Sequence, residues 1–339
     1  MSAVRTDVPP TAPAGGFGGL LRAEAHRFRA RRFIQVLLLL AALGWLTSTA
    51  VGLTQYASTT PERLAAAQQQ LQEEVALSNE YREECLASGD VPEDVPPEEW
   101  CGPPITAEDL DLAWYLDPAP FSFSTDGVSG AVAFSAAGAV LAFLIGATFV
   151  GAEWSSRSMI SLLFWETRRP RVLGAKTAVV AVASAALGVV AQGAWLVMAG
   201  LWQAFAGDDL ALPDGFWSEL LATGSRGVLL TTLAGLLGFG LTNVVRNTGA
   251  ALGVGFVYFA VLETAVRALR PDWQPWLVTN NATALVLPDG LTIYTDYDQV
   301  TGQSTEYLLG NLQAGVVMSV LTAVVLAVGF VLFSRRDLH

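Results

Sequence analysis

Charged side chains are scarce in this sequence, since only 15% of its 339 residues are Asp, Glu, Lys or Arg. Soluble proteins carry about a quarter charged residues, which cover their surface in water. The apolar residues instead form six long runs, and about 20 consecutive apolar residues suffice to span a bilayer as a helix. This composition excludes a wholly soluble protein and predicts an all-α polytopic membrane protein with six transmembrane helices.

Lysine is nearly absent, because Lys176 is the single lysine beside eighteen arginines. Together with abundant alanine, this preference is typical of a GC-rich bacterial genome. We therefore expect a multi-pass protein of a bacterial plasma membrane, with the lipid bilayer as its first partner.

The residues of common catalytic and cofactor sites are also missing. The two histidines, His26 and His339, stand near opposite ends of the chain, and no HExxH or GxSxG motif occurs. The segment GAKT at 174–177 lacks the glycines that a P-loop requires. We therefore expect no enzyme activity, and no cofactor or metal bound by this chain itself.

Charges within the apolar runs are few. Arg226 and Glu263 lie toward the outer ends of their runs, and Arg267 follows Glu263 by one helical turn. A charge inside a membrane span is a functional hypothesis by default. A Glu263–Arg267 pair nevertheless favours a structural role, as does an Arg226 side chain extended toward the interface.

The apolar runs place the spans and the segments between them. Spans one to six are predicted at residues 33–53, 129–150, 175–202, 220–242, 249–266 and 312–333. Residues 1–16, rich in Pro, Ala and Gly, predict a disordered tail. Residues 17–32 predict an amphipathic helix whose apolar face, with Glu24 and Phe28, rests on lipid at the membrane interface. The alternative for that segment is a basic flank that only orients span one.

Basic residues are distributed unequally between the two sides of the membrane. With the N-terminus inside, the inner segments hold fourteen Lys and Arg, the outer segments hold four, and span four holds Arg226. By the positive-inside rule, both termini are predicted to be cytoplasmic. Residues 54–128 and 267–311 are then extracellular loops.

The first extracellular loop is strongly acidic, with sixteen Asp and Glu against two arginines in residues 54–128. We predict an acidic extracellular domain in which a helix starts at Thr60-Pro61. Cys85 and Cys101 both lie in this loop, and a location outside the cytoplasm permits a disulfide between them. Two free thiols are the alternative.

The loop between spans two and three, residues 151–174, is basic. Together with the first residues of span three it holds five of the nineteen basic residues, and Glu153 stands where span two ends. A short amphipathic stretch around Met159 and Leu162 lies in its middle. Such a loop is typical of a docking surface, and we predict that it receives force from a cytoplasmic partner.

This loop resembles the corresponding loop in membrane subunits of type-2 ABC exporters. That family has an acid soon after span two, a turn of small residues, a Leu-Leu pair, arginines, and a Gly-x-Lys that enters span three. The matching residues here are Glu153, Ser155-Ser156, Leu162-Leu163, the arginines between 168 and 171, and Gly174 with Lys176. The N-terminal stretch with Glu24 and the ending FSRRDL at 333–338 are also similar to that family.

The resemblance implies a permease subunit that exports a substrate while a separate ABC ATP-binding subunit binds ATP and Mg and hydrolyses the nucleotide. It also implies a second membrane subunit, identical or different, and no nucleic-acid partner. The loop would act as a coupling helix, and the residues expected to couple to the ATPase are Glu153, Trp154, Arg157, Met159 and Leu162. The N-terminal interfacial helix, with Glu24 and Phe28, would transmit the same movement.

Two other functional classes stay open. A multispan membrane-anchored interaction protein would act through the acidic extracellular domain, although six spans exceed what an anchor needs. An ion-driven carrier would need a ladder of acids within its spans, and few are present. For an exporter, lipids, peptides, antibiotics and cell-envelope precursors are all compatible cargo.

Overall fold

The structure is a computed structural model and describes residues 16–88, 95–156, 158, 168–297 and 304–335. The predicted disordered tail, except for Gly16, and most of the predicted coupling loop lie outside the described residues. The α-helices are α1 (Phe17–Ala30), α2 (Arg32–Gln55), α3 (Pro61–Ser88), α4 (Pro97–Trp100), α5 (Phe123–Ser155), α6 (Arg169–Ala206), α7 (Phe216–Val245), α8 (Thr248–Val257), α9 (Glu263–Leu269), α10 (Val278–Val286) and α11 (Asn311–Arg335).

Six helical segments of the described chain are long and apolar enough to cross a membrane, namely α2, α5, α6, α7, the α8–α9 segment and α11. The predicted all-α fold with six spans is therefore confirmed. Several helices are longer than the apolar runs that predict them, and α5 has 33 residues. Such a helix is about 50 Å long against about 30 Å of hydrocarbon, so its ends project beyond the apolar layer.

A single extended residue, Arg31, separates α1 from α2, with φ −73° and ψ 112°. Helix α1 carries the face that was expected to rest on lipid. Glu24 on that face is fully buried, and Phe28 packs against Phe149 of α5 with ring centroids 5.1 Å apart. The expectation of lipid contact is therefore wrong at Glu24, which other segments of the chain cover, whereas Phe28 is half-buried.

Span five is interrupted by a π-helical segment, Tyr258–Leu262, which joins α8 to α9. Residues 267–311, predicted as a loop, contain a 3-10 helix (Pro271–Trp276), α10 and two antiparallel strands, β1 (Leu291–Tyr297) and β2 (Ser304–Leu309). Five of the nine residues of α10 are buried. A helix satisfies its own backbone groups, which is the requirement for a segment that packs among membrane spans.

The contacts divide the chain into two compact units. The first comprises residues up to 42, 130–195 and from 217 onward; the second comprises 43–129 and 196–216. The first unit has two apolar cores. One is built around Ile145, Phe149 and Phe239, and the other around Leu285 and Met318.

Glycines bring α5 and α7 into backbone contact within the first unit. A Cβ atom on Gly146 would lie 2.0 Å from the carbonyl oxygen of Gly235, and one on Gly238 would lie 2.3 Å from that of Phe143. No side chain fits at such distances, so small residues at these positions let the two helices approach closely.

The second unit contains α3 and the segment that returns along it. Cys85 and Cys101 form a disulfide, which confirms that prediction. Next to it, Arg82 Nε donates to the carbonyl of Gly102 at 2.8 Å. Asn79 exchanges two hydrogen bonds with the backbone of Ile105. The returning segment is thus fixed to the C-terminal half of α3.

Candidate functional site

A fully buried lysine lies at the centre of the most highly charged site in the described interior. Lys176 Nζ is 2.6 Å from Glu24 Oε2 and 2.7 Å from Glu153 Oε2, and the lysine side chain has no exposed surface. Burying an ammonium ion is costly unless it is paired and hydrogen-bonded. Two carboxylates supply that pairing here, one from α1 and one from the end of α5.

Two arginines occupy the remaining carboxylate oxygens. Arg27 Nη1 lies 2.7 Å from Glu24 Oε1, and Arg31 Nη2 lies 2.8 Å from Glu153 Oε1. Each of the four carboxylate oxygens therefore accepts from a cation. We call these five residues (Glu24, Arg27, Arg31, Glu153 and Lys176) the charge network.

An aromatic ring completes the surroundings of the charge network. Lys176 Nζ lies 5.1 Å and Arg31 Cζ lies 5.3 Å from the ring centroid of Phe149. Cations within about 6 Å of an aromatic face are attracted by the ring quadrupole, and more strongly where water is excluded. Phe149 is itself completely buried, so it both shields the charges from water and stabilises them.

The sequence positions of these residues explain how each helix places its charged side chain in the network. Glu24 and Arg27 are three positions apart in α1 and so lie on the same side of that helix. Arg31 is the extended residue between α1 and α2. Glu153 is in the last turn of α5, and Lys176 is in the second turn of α6. The loop that joins α5 to α6 therefore starts just after one member of the charge network and ends about two helical turns before another.

Trp154, next to Glu153, points to a different part of the first unit. Its ring meets that of Phe333 at the end of α11 in an edge-to-face contact, with centroids 6.0 Å apart. The guanidinium carbon of Arg246, between α7 and α8, lies 4.6 Å from the centroid of the Trp154 ring. The end of α5 is thereby fixed to the end of α11 and to the turn between α7 and α8.

The residues predicted to couple to a partner have different environments in the structure. Glu153 is buried, with a relative exposure of 4%, and Trp154 is half-buried, so both face other parts of this chain. Arg157, Met159 and Leu162 lie outside the described residues. Glu24 and Phe28, predicted for the N-terminal helix, are brought to the same place as Glu153.

Sequence reasoning did not assign three members of the network as site residues, namely Arg27, Arg31 and Lys176. One signal was present, because Glu24 is an acid on the apolar face of a helix, and such an acid needs a buried cation. The periodicity of α1 indicates that Glu24 requires a cation, but it does not show which basic residue forms the ion pair.

A second buried acid lies in span five. Glu263 Oε2 is 3.2 Å from Arg267 Nη2, which confirms the predicted pair. Glu263 Oε1 accepts the backbone N–H of Thr279 at 3.1 Å, and Thr279 lies in the first turn of α10. This carboxylate therefore anchors α10 to span five. In the part of the chain that the structure describes, no group of three or more His, Cys, Asp or Glu could hold a metal ion.

These features define a six-span, all-α membrane protein whose buried charges hold its N-terminal helix against α5 and α6, the helices of spans two and three. The family model described as ABC-2 family transporter protein matches residues 24–338. The chain therefore belongs to the ABC-2 transporter family and is a transmembrane subunit of that type. The match begins at Glu24 and includes every member of the charge network. Comparison with curated proteins found no match.

Proposed function

We propose that this chain is the membrane subunit of an ABC exporter, in which a separate ATP-binding subunit supplies ATP, Mg and hydrolysis. The observation that carries the proposal is the charge network, because it joins α1 to the two helices that flank the α5–α6 loop. A partner that pushes on this loop acts directly on Glu153 and Lys176. The loop and the N-terminal helix then move together.

The physical reason for joint movement is the cost of separating buried charges. Breaking a buried ion pair by removing one partner costs about 3–5 kcal/mol, since the other charge stays buried and uncompensated. Pulling Lys176 away from Glu24 would incur a cost of the same kind. The network is therefore a rigid link, and displacement is transmitted to the spans rather than lost within the loop.

The contacts that Glu153 and Trp154 make within this chain support a positioning role for both residues rather than direct contact with the ATPase. They hold the end of α5 in place through Lys176, Arg31, Phe333 and Arg246. Contact with the ATP-binding subunit is then made by the loop itself, for which Arg157, Met159 and Leu162 are our candidates.

The distribution of basic residues supports a cytoplasmic location for both termini and for this loop. In that orientation the ATP-binding subunit docks from the cytoplasm of a bacterial cell. A second membrane subunit, identical or different, pairs with this chain in the plasma membrane. The acidic, disulfide-bonded segment around Cys85 and Cys101 then faces outward, where a disulfide persists.

Pairing of the buried acids argues against an ion-driven carrier. A proton relay needs carboxylates that can take up and release protons within the membrane. The fully or nearly buried acids of the described chain are Glu24, Glu153 and Glu263, and each forms an ion pair with a basic residue. Each of these carboxylates is already engaged by a cation of the same chain, so the buried acids of the described residues do not form the row of unpaired carboxylates that a relay uses.

The proposal is tested by purifying the tagged chain from its native membranes in mild detergent and assaying ATP hydrolysis. We expect a protein with a GxxxxGK[ST] motif to co-purify. Arg157→Ala should lower its recovery, whereas Arg270→Ala, which removes an exposed arginine just after span five, should not. Glu153→Gln should keep the partner but uncouple its ATPase activity from the membrane subunit. Recovery of no nucleotide-binding protein in several detergents would refute the proposal.

A further inference from the structure

Arg226 carries a positive charge that nothing described in the chain compensates. Its Nη1 donates to Asn311 Oδ1 at 3.0 Å and its Nη2 to Thr223 Oγ1 at 3.0 Å. A weaker contact of 3.5 Å joins Nη1 to the carbonyl of Pro288. All three acceptors are neutral, and no acid of the described chain lies within 4.0 Å of this guanidinium. Its Nε is buried and has no hydrogen-bond partner.

The surroundings of Arg226 form a fixed site rather than a flexible surface. Asn311 Nδ2 donates to the carbonyls of Ala284 and Leu287, both at 2.7 Å. These bonds orient the amide so that its oxygen faces Arg226. The guanidinium is therefore held by α7 and α11 in one position, although its charge has no partner.

The depth of this charge corresponds to the edge of the apolar layer. Arg226 contacts Asn311, and Asn311 is the first residue of α11, the sixth span. From Asn311 the helix continues with an apolar sequence. The guanidinium thus lies where lipid headgroups meet hydrocarbon, a depth at which long basic side chains reach the lipid phosphates.

An apolar groove of about 420 Å³ leads away from the guanidinium. We call it the Arg226 groove; it runs between α7 and α11 and is lined by Leu229, Leu312, Gly315, Val316 and Val320. Residues 312, 316 and 320 are four positions apart and so form one row along α11, about 12 Å long. All three are exposed in the described chain, so the groove opens sideways toward lipid.

We propose that the Arg226 groove binds an anionic phospholipid, with the phosphate on Arg226 and an acyl chain along α11. Guanidinium groups pair with phosphate through charge-assisted, often bidentate hydrogen bonds. A free phosphate ion would leave the apolar groove empty. A second copy of this chain that packs an apolar helix there would leave the charge without a counter-ion. An anionic lipid supplies a phosphate for the guanidinium and an acyl chain for the apolar groove. This inference does not depend on which cargo is transported.

The test is native mass spectrometry of the full-length chain in detergent, titrated with phosphatidylglycerol or with phosphatidylcholine. We expect the unmodified chain to retain phosphatidylglycerol preferentially. Arg226→Gln should weaken that binding about tenfold or more, because a charge-assisted hydrogen bond is worth at least one factor of ten in an equilibrium constant. The matched control is Arg270→Gln, which removes an exposed arginine outside the groove and should change nothing.

A second variant tests the acyl-chain half of the site. A Cβ on Gly315 would meet only Leu285 Cδ1, at 3.4 Å, so a larger side chain would project into the groove. Gly315→Leu should therefore lower the occupancy of both lipids while α11 keeps its helix, since Leu is a better helix former than Gly. If Arg226→Gln does not give a monodisperse protein, this variant decides alone.

Three outcomes would overturn the proposal. Unchanged preference for phosphatidylglycerol in a folded Arg226→Gln variant would place the lipid elsewhere. Unchanged lipid occupancy in Gly315→Leu would show that no acyl chain lies in the groove. Complete displacement of phosphatidylglycerol by excess inorganic phosphate would identify a site for the free anion instead.

Discussion

Lys176 and Glu24 form an ion pair across 152 positions of sequence, with 2.6 Å between Nζ and Oε2 and no exposed surface on either side chain. The pair brings the start of the chain to the start of the third span. Because Lys176 also binds Glu153, one ammonium group fixes three helices to one another. The N-terminal helix is therefore part of the folded first unit and not a detachable flank.

Removal of the ammonium group should be more damaging than removal of any surface charge. Lys176→Met leaves Glu24 and Glu153 buried with one cation each, and we expect the free energy of unfolding to fall by about 3–5 kcal/mol. The measurement is an SDS unfolding titration followed by circular dichroism. Arg171→Gln, which removes an exposed charge from the same helix, is the control and should change stability by less than about 0.5 kcal/mol. Equal effects of the two substitutions would show that the network is not buried.

The same pair should show coupling in a double-mutant cycle. Once Lys176 has been replaced by Met, Glu24→Gln removes one of the two buried carboxylates that have lost the ammonium group, and it should restore part of the lost stability. Residues in one ion-pair network typically couple by about 0.5–3 kcal/mol. Additive effects of the two substitutions in the same SDS titration would contradict direct pairing.

Glu263 should determine how firmly α10 is held. Glu263→Ala leaves the Thr279 N–H without its acceptor, and an unsatisfied buried donor costs about 1–3 kcal/mol. We expect faster hydrogen–deuterium exchange across residues 278–286, measured by mass spectrometry. Arg267→Gln should have a smaller effect, because the Arg267 side chain is 40% exposed and water can replace it. Slow exchange in both variants would mean that α10 is held by apolar packing alone.

The disulfide should protect the chain next to Arg82 from trypsin. The bond closes a separation of 16 residues, for which loop-closure entropy gives about 3 kcal/mol of stabilisation. Replacement of both Cys85 and Cys101 by Ser should therefore speed cleavage after Arg82. Cleavage after Arg63 is the internal control, because its guanidinium donates to the carbonyls of Ala57 and Ser58, away from the disulfide. A parallel increase at both sites would indicate loss of the whole second unit.

The number and order of the spans could be predicted because each span needs only a long apolar run, which is a local property. The ends of the helices could not be predicted in the same way. Helix α5 continues beyond its apolar run into polar residues at both ends, and the end of an apolar run does not show where the helix ends. The Glu263–Arg267 pair was predictable for the same reason, because four positions in a helix place two side chains side by side.

The charge network and the backbone irregularities depend on tertiary structure instead. Glu24 was visible as an acid on an apolar face, yet its partner Lys176 lies 152 positions away. Helical periodicity identifies the apolar face of α1 but does not show what that face contacts. Lipid was therefore the predicted contact, whereas the structure shows protein at Glu24. The π-helical segment after Val257 likewise has no distinct local pattern.

The glycines between α5 and α7 give the sharpest test of the helix packing. A Cβ on Gly146 would lie 2.0 Å from the carbonyl oxygen of Gly235, so Gly146→Ala must push two backbones apart. Overpacking of this kind costs typically about 1–3 kcal/mol, although alanine is intrinsically the better helix former. Gly253→Ala is the matched control, because a Cβ there meets nothing within 4 Å and the substitution should be neutral or stabilising. SDS unfolding titrations of both variants measure the difference, and a Gly146→Ala protein as stable as Gly253→Ala would mean that α5 and α7 do not pack backbone to backbone at this level.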